Sequence, residues 1–106
     1  MFRSKERLSS TLVNRVSKKG TPIGSGVFRA RYLRSDDGRG VALVVSKKVI
    51  KGRIQRNRER RRILHLLKEL LPSGYQMVLF LNQDTKVIPH PELKQTLQTL
   101  ITQLKP

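Results

Sequence analysis

Residues 41–71 read VALVVSKKVIKGRIQRNRERRRILHLLKELL, and this run decides the fold because an apolar, a basic and a leucine-rich segment follow one another directly. The basic part, residues 46–62, contains nine Lys or Arg against one acid, Glu59. Like charges at this density repel one another and destabilise the compact state, and a polyanion offsets that repulsion. The run therefore predicts a binding surface for nucleic acid.

Two elements are predicted inside this run. Residues 41–46 are almost continuously apolar, which is typical of a strand covered on both faces or lying centrally in a sheet. Residues 54–71 lack Gly and Pro, and Pro-Ser-Gly at 72–74 ends them, so they predict a long helix. Its apolar stripe consists of Ile63, Leu66, Leu67, Leu70 and Leu71.

Arginines occupy the first two turns of this helix. At about 100° per residue, Arg53, Arg56, Asn57 and Arg60 fall in a sector roughly 100° wide. That sector overlaps the side that becomes apolar further along, so we expect these turns to extend beyond the core. Each guanidinium group can bind two phosphate oxygens or stack on a base, and an Asn amide can donate to phosphate or 2′-hydroxyl groups.

The segments before this run predict a helix and a sheet. Residues 9–19 have helical apolar spacing, with a serine at 9 or 10 as cap and Gly20 as stop. Residues 21–23 allow a brief edge strand, and Gly-Ser-Gly at 24–26 predicts a turn. Residues 27–34 alternate, which predicts a strand with one wet face. Phe28, Ala30 and Tyr32 share its core face, while Arg29 and Arg31 share the other.

Residues 35–40 (SDDGRG) predict a hairpin loop that joins this strand to the strand at 41–46. Residues 75–81 (YQMVLFL) predict another buried strand, and residues 82–91 a polar loop with Pro91 at the first helical position. A final amphipathic helix is indicated by Leu93, Leu97, Leu100, Ile101 and Leu104. The predicted fold is an α+β sandwich with the order αβββαβα.

Composition limits the other readings. A chain of 106 residues fits one domain, residues 1–106, and its formal net charge is +16. The absence of Cys excludes disulfides and thiolate metal sites. Apolar runs are far shorter than the roughly 20 residues of a membrane span, and no apolar segment follows the basic start, so we expect a cytoplasmic protein. No carboxylate pair, Ser/His/Asp set or metal-ligand spacing is evident, and His65 and His90 are read as incidental.

Two motifs in the central run resemble those of the bacterial ribonuclease P protein family. In that family a strand ending in V-S-K-K precedes, after a variable spacer, a helix with R-N-R-x-[KR]-R. Here the motifs are VSKK at residues 45–48 and RNRERR at residues 56–61. The resemblance implies a ribosomal protein S5 domain 2-like fold with a left-handed βαβ crossover, whereas the general rule gives the right hand.

The resemblance also implies a function, which is assembly with a catalytic RNA to remove the 5′ leader of precursor tRNA. The expected partners are ribonuclease P RNA and precursor tRNA, with no membrane and a monomeric free protein. No cofactor is expected on the protein alone, and Mg²⁺ is expected in the RNA holoenzyme. Charge and resemblance together give the candidate RNA-binding residues Lys47, Lys48, Lys51, Arg53, Arg56, Asn57, Arg58, Arg60 and Arg61.

In the family a cleft between the first helix and the open sheet face receives the single-stranded leader. The matching positions here are Val13, Ser17, Arg29, Arg31 and Tyr32. They lack the aromatic residues that many members have on the first helix, and Arg31 stands where Tyr is common. Leader recognition is therefore expected to depend more on charge than on stacking. The family often has a further basic residue where this chain has Leu64, with Arg62 and His65 as possible substitutes.

Two other functions are alternative hypotheses for this chain. A structural RNA-binding protein of the ribosomal or chaperone type would need only the basic surface, and a nuclease that acts without RNA would need acids that this chain does not group. Arg56→Ala or Arg60→Ala is expected to weaken RNA assembly while leaving the fold intact.

Overall fold

The structure, a computed structural model, describes residues 10–36 and 39–104. Within them the elements are α1 (Ser10–Lys19), β1 (Thr21–Ser25), β2 (Phe28–Arg34), β3 (Gly40–Val44), α2 (Arg53–Leu70), β4 (Tyr75–Leu81) and α3 (His90–Ile101). The predicted class and the order αβββαβα are confirmed. The possible cap Ser9 and the loop residues Asp37 and Gly38 lie outside the described residues.

One mixed sheet has the strand order β1-β2-β4-β3. β1 pairs with β2, and β2 with β4, in antiparallel fashion, whereas β3 and β4 are parallel. The predicted hairpin between β2 and β3 is therefore wrong, and β3 is an edge strand rather than a central one. Parallel neighbours need a crossover connection, and α2 provides it. The left-handed sense of this βαβ unit stays a prediction.

The main core lies between one face of the sheet and the helices α2 and α3. As predicted, Phe28, Ala30 and Tyr32 on β2 point into it. They join Met77, Leu79 and Leu81 of β4, Ile63, Leu66 and Leu67 of α2, and Leu93, Leu97 and Leu100 of α3. Each large side chain buried in this way contributes roughly 1.5–3 kcal/mol. Leu70, Ile101 and Leu104, also predicted as apolar contacts, are only partly buried at its rim.

The opposite face of the sheet carries α1, which contacts β2 and β4. Val16 of α1 and Val78 of β4 are fully buried, yet neither belongs to the main core cluster. The register places Arg31 beside Val78 and Arg29 beside Phe80 on this second face. Val44 on β3 remains 40% exposed. The helix therefore covers this face incompletely.

Two glycines shape the first hairpin and its approach. A Cβ at Gly20 would collide with the carbonyl oxygen of Val16 and lie 3.0 Å from the Cβ of Arg31. The position that ends α1 therefore has room only for glycine. β1 runs on to Ser25, and the turn is Gly26-Val27 rather than residues 24–26. Gly26 has φ +54°, and glycine at the first of two loop residues is typical of a type II′ turn.

A side-chain amide covers part of the exposed edge of β1. Gln103 donates from Nε2 to the carbonyl oxygen of Gly24 at 2.7 Å and accepts from the Gly24 N–H at 3.3 Å. The pair imitates one step of a strand ladder, so this part of the edge is not available to another strand.

Candidate nucleic-acid interface

A short turn between β3 and α2 presents the lysines of the basic stretch. The N–H groups of Val49 and Ile50 both donate to the carbonyl oxygen of Ser46 at 3.1 Å, and Ile50 is buried in the core. That anchor fixes the turn, and Lys47, Lys48 and Lys51 project from it as exposed residues. The local fold thus combines one apolar anchor with lysines that face solvent.

The start of α2 adds positive potential to these lysines. Its cap residue is Gly52, which has no side chain to accept from the first N–H groups, and the first turn contains no acid. Free N–H groups and the helix dipole make such a terminus favourable for anions. A cavity of about 300 Å³ in front of it is lined by Lys48, Val49, Ile50, Lys51, Gly52, Gln55, Asp84 and Lys86.

Of the nine candidate RNA-binding residues, seven are exposed. They are Lys47, Lys48, Lys51, Arg53, Asn57, Arg58 and Arg61. Asn57, Arg58 and Arg61 lie on the side of α2 opposite to the core residues Ile63 and Leu67. The outer face of α2 is therefore the part of the helix that a large polyanion can reach.

The other two candidates, Arg56 and Arg60, fold back onto the protein, which corrects the expectation that the sector 53, 56, 57 and 60 extends freely. Arg56 donates from Nη1 to the carbonyl oxygens of Ile50 at 3.0 Å and Lys51 at 2.8 Å. Arg60 makes a longer contact of 3.4 Å to the carbonyl oxygen of Leu43, and its buried Nε has no partner in the described part of the chain. Carbonyl groups at the β3 edge and the following turn need donors, and these arginines supply them.

Sequence reasoning missed a buried polar cluster behind the arginine face. Glu59 and Thr85 are 2% and 0% exposed, and the hydroxyl of Thr85 donates to Oε1 of Glu59 at 2.6 Å. Nη2 of Arg62 lies 3.2 Å from the same oxygen and also donates to the carbonyl oxygens of Thr85 and Ile88, at 2.8 and 3.0 Å. This cluster ties α2 to the loop after β4. The available signal was a lone acid within a basic stretch.

Four of the five positions predicted for the leader cleft lie on α1 or on the second face of the sheet. Val13 and Ser17 of α1 are half-buried, Val16 between them in the sequence is buried, and Arg29 is exposed. Arg31 is half-buried and donates to the carbonyl oxygen of Gly20 at 3.2 Å.

Tyr32 does not belong to this cleft, which corrects that part of the prediction. It alternates to the opposite face and is 5% exposed, with its ring centroid 5.8 Å from that of Tyr75. Phe80, which sequence reasoning did not single out, lies instead on the second face of the sheet. It is half-buried and is paired with Arg29 on one side and with Val44 on the other. Period-2 alternation of β4 could have indicated it.

Within residues 10–36 and 39–104, no group of three or more His, Cys, Asp or Glu could hold a metal ion. In the same residues, no helix combines the length and apolar character needed to cross a bilayer. The described residues present lysines and arginines, some exposed and some hydrogen-bonded to the backbone, beside an incompletely covered sheet face.

Comparison with known proteins identifies relatives. A family model described as Ribonuclease P matches residues 2–105. No curated protein matches significantly. The fold is similar to that of the RNase P protein from Thermotoga maritima, with a TM-score of 0.79 and 18% identity over 95% of this chain and 99% of that one. The Staphylococcus aureus RNase P protein gives a TM-score of 0.78 and 17% identity over 92% and 93% of the two chains.

Proposed function

The chain belongs to the ribonuclease P protein family, and on that premise we propose that it is the protein subunit of bacterial ribonuclease P, acting in the maturation of the tRNA 5′ end. It binds the catalytic RNA through the exposed basic stretch and the 5′ leader of precursor tRNA through the α1 side of the sheet. The RNA, with Mg²⁺, performs the hydrolysis. We expect the free protein to be monomeric and the holoenzyme cytoplasmic.

The observation that supports this proposal best is the continuity of the two candidate surfaces. On the second face of the sheet, Arg29, Phe80 and Val44 lie side by side across β2, β4 and β3. Two residues beyond Val44 the exposed basic turn begins with Ser46 and Lys47. A strand of RNA that leaves the sheet face at the β3 edge therefore meets the lysines directly. One chain can touch leader and catalytic RNA together.

Charge neutralisation is the main contribution of the protein to the reaction. Two RNAs that approach each other repel, and Lys and Arg between them release condensed counterions. A grip on the leader favours the precursor over the mature product, which has no leader to bind. The half-buried ring of Phe80 adds a surface for one base, and such stacking contributes about 1–3 kcal/mol per base.

Reconstitution tests the proposal. The protein is combined with a bacterial ribonuclease P RNA and precursor tRNA at low Mg²⁺, and products are resolved at single-nucleotide length. Stimulated cleavage at the mature 5′ end is the expected result. RNA binding without stimulation would instead assign a structural RNA-binding role, and cleavage by protein alone would assign a nuclease that acts without RNA.

A charge-matched control separates the proposed surface from general basicity. Arg58→Ala removes an exposed cation from the outer face of α2, and Lys68→Ala removes one from its last turn. We expect the first to weaken binding of the catalytic RNA and the second to leave it near wild type. Equal effects would contradict the assignment of the interface to the start of the helix.

A further inference from the structure

The strongest unassigned feature is a cavity between α2 and the start of α3. It has a volume of about 440 Å³ and is lined by Arg61, Arg62, His65 and His90. These include both histidines of the chain, which their positions in the sequence gave no reason to connect. None of the described lining residues is acidic. The fold thus brings four nitrogen-bearing side chains from two helices to one opening.

All four residues that line the cavity carry hydrogen-bond donors in their side chains. Arg62 is held in place through Nη2, which contacts Glu59 and donates to two carbonyl oxygens, and its Nε is buried from solvent. Arg61 is exposed and able to turn toward a ligand. An imidazole ring bears at least one N–H in either neutral tautomer. A lining of this kind complements an anion with several oxygens.

The start of α3 increases that preference. His90 is the first residue of the helix. The helix cap residue, Pro89, has no side-chain acceptor for the first N–H groups. The partial positive charge of the helix N-terminus adds to the charge of Arg61, whereas the charge of Arg62 is paired with Glu59. The nearest acid in the first turn, Glu92, is exposed and does not line the cavity.

We propose that Arg61, Arg62, His65 and His90 form a phosphate-binding pocket that extends the RNA interface from the outer face of α2 onto α3. The ligand is a phosphate group, which an RNA supplies either as a backbone phosphodiester or as a terminal phosphomonoester. The pocket rests on the proposed function only for the identity of the RNA. Binding of phosphate itself is a property of the free protein.

The two histidines provide a direct readout, because they are the only ones in the chain. Their imidazole proton signals are followed by NMR while the free protein is titrated at constant pH and ionic strength. The three probes are inorganic phosphate, a dinucleoside monophosphate with one phosphodiester, and a nucleoside 5′-monophosphate. We expect both histidine signals to shift together and to saturate with the same apparent Kd. A stronger response to the second or the third probe identifies a backbone or a terminal phosphate, respectively.

Variants test whether the shifts come from the pocket. Arg61→Ala should weaken phosphate binding by about tenfold, as loss of a charge-assisted hydrogen bond predicts, whereas Lys68→Ala should not. Absence of saturable shifts in the wild type, or equal weakening by both variants, would overturn the pocket.

A second measurement uses the catalytic RNA. The double variant His65→Ala/His90→Ala should weaken affinity for the catalytic RNA by about tenfold through the loss of two hydrogen bonds. The slope of log affinity against log salt should change little, because both guanidinium groups remain. Unchanged affinity would overturn the contact with RNA. Failure of reconstitution alongside saturable histidine shifts would refute the proposed function and leave the pocket. Successful reconstitution without those shifts would do the reverse.

Discussion

Removal of the Thr85 hydroxyl should destabilise the protein strongly, although Thr85 lies in a loop. Thr85→Val keeps the shape and deletes the 2.6 Å hydrogen bond to the buried carboxylate of Glu59. A hydrogen bond to a charged group contributes about 1.5–3 kcal/mol. With an unfolding entropy of about 2.1 cal/mol/K per residue over 106 residues, the expected fall in Tm is about 7–13 °C.

The charge on Glu59 is tested by a double-mutant cycle in urea and by thermal unfolding. In a Glu59→Gln background the same Thr85→Val change removes only a neutral hydrogen bond, worth about 0.5–1.5 kcal/mol. The coupling free energy should therefore be about 1 kcal/mol. Thr99→Val is the control, because that exposed hydroxyl donates only to the Gln95 carbonyl within α3. A loss for Thr85→Val below about 0.5 kcal/mol, or one equal in both backgrounds, would refute the reasoning.

Three further outcomes follow from the geometry. Arg58→Ala should lower affinity for the catalytic RNA and reduce the slope of log affinity against log salt by about one, without changing Tm. Arg56→Ala should in addition lower the free energy of unfolding by about 1–2 kcal/mol, because two backbone carbonyls lose their donor. Equal Tm values for the two variants would contradict this. Gly20→Ala should cost about 1–3 kcal/mol in unfolding experiments, and Gly24→Ala, whose new Cβ meets only ordinary contacts, should be nearly neutral. Phe80→Ala should weaken leader binding by about 1–3 kcal/mol, measured from the affinities for precursor and mature tRNA. An unchanged ratio of the two affinities would show that the ring does not contact the leader.

Local signals predicted the elements and their inward faces well. Apolar spacing identified α2, β4 and α3 because each must bury one face, and the alternation of residues 28–32 is the burial pattern observed in β2. Strand pairing was not encoded in this way. The loop at residues 35–40 indicates that the chain turns, but the neighbour that β3 finally joins lies beyond α2, more than thirty residues later.

Charge patterning gave the location of the candidate interface but not the orientation of each arginine. Arg56 and Arg58 are the same residue type in the same basic stretch, yet Arg56 donates to backbone carbonyls and Arg58 is exposed to solvent. That difference depends on where the turn after β3 passes, which is a tertiary property. The same limit applies to His65 and His90, because they meet only after α3 packs beside α2.

The position of β4 has a consequence for synthesis on the ribosome. β4 is the last strand to be translated, yet it lies in the interior of the sheet and supplies partners to both β2 and β3. Until residues 75–81 emerge, β3 has no neighbour and the nascent chain can close only the first hairpin. The basic segment, residues 46–62, therefore leaves the ribosome before the sheet to which it is attached can be completed.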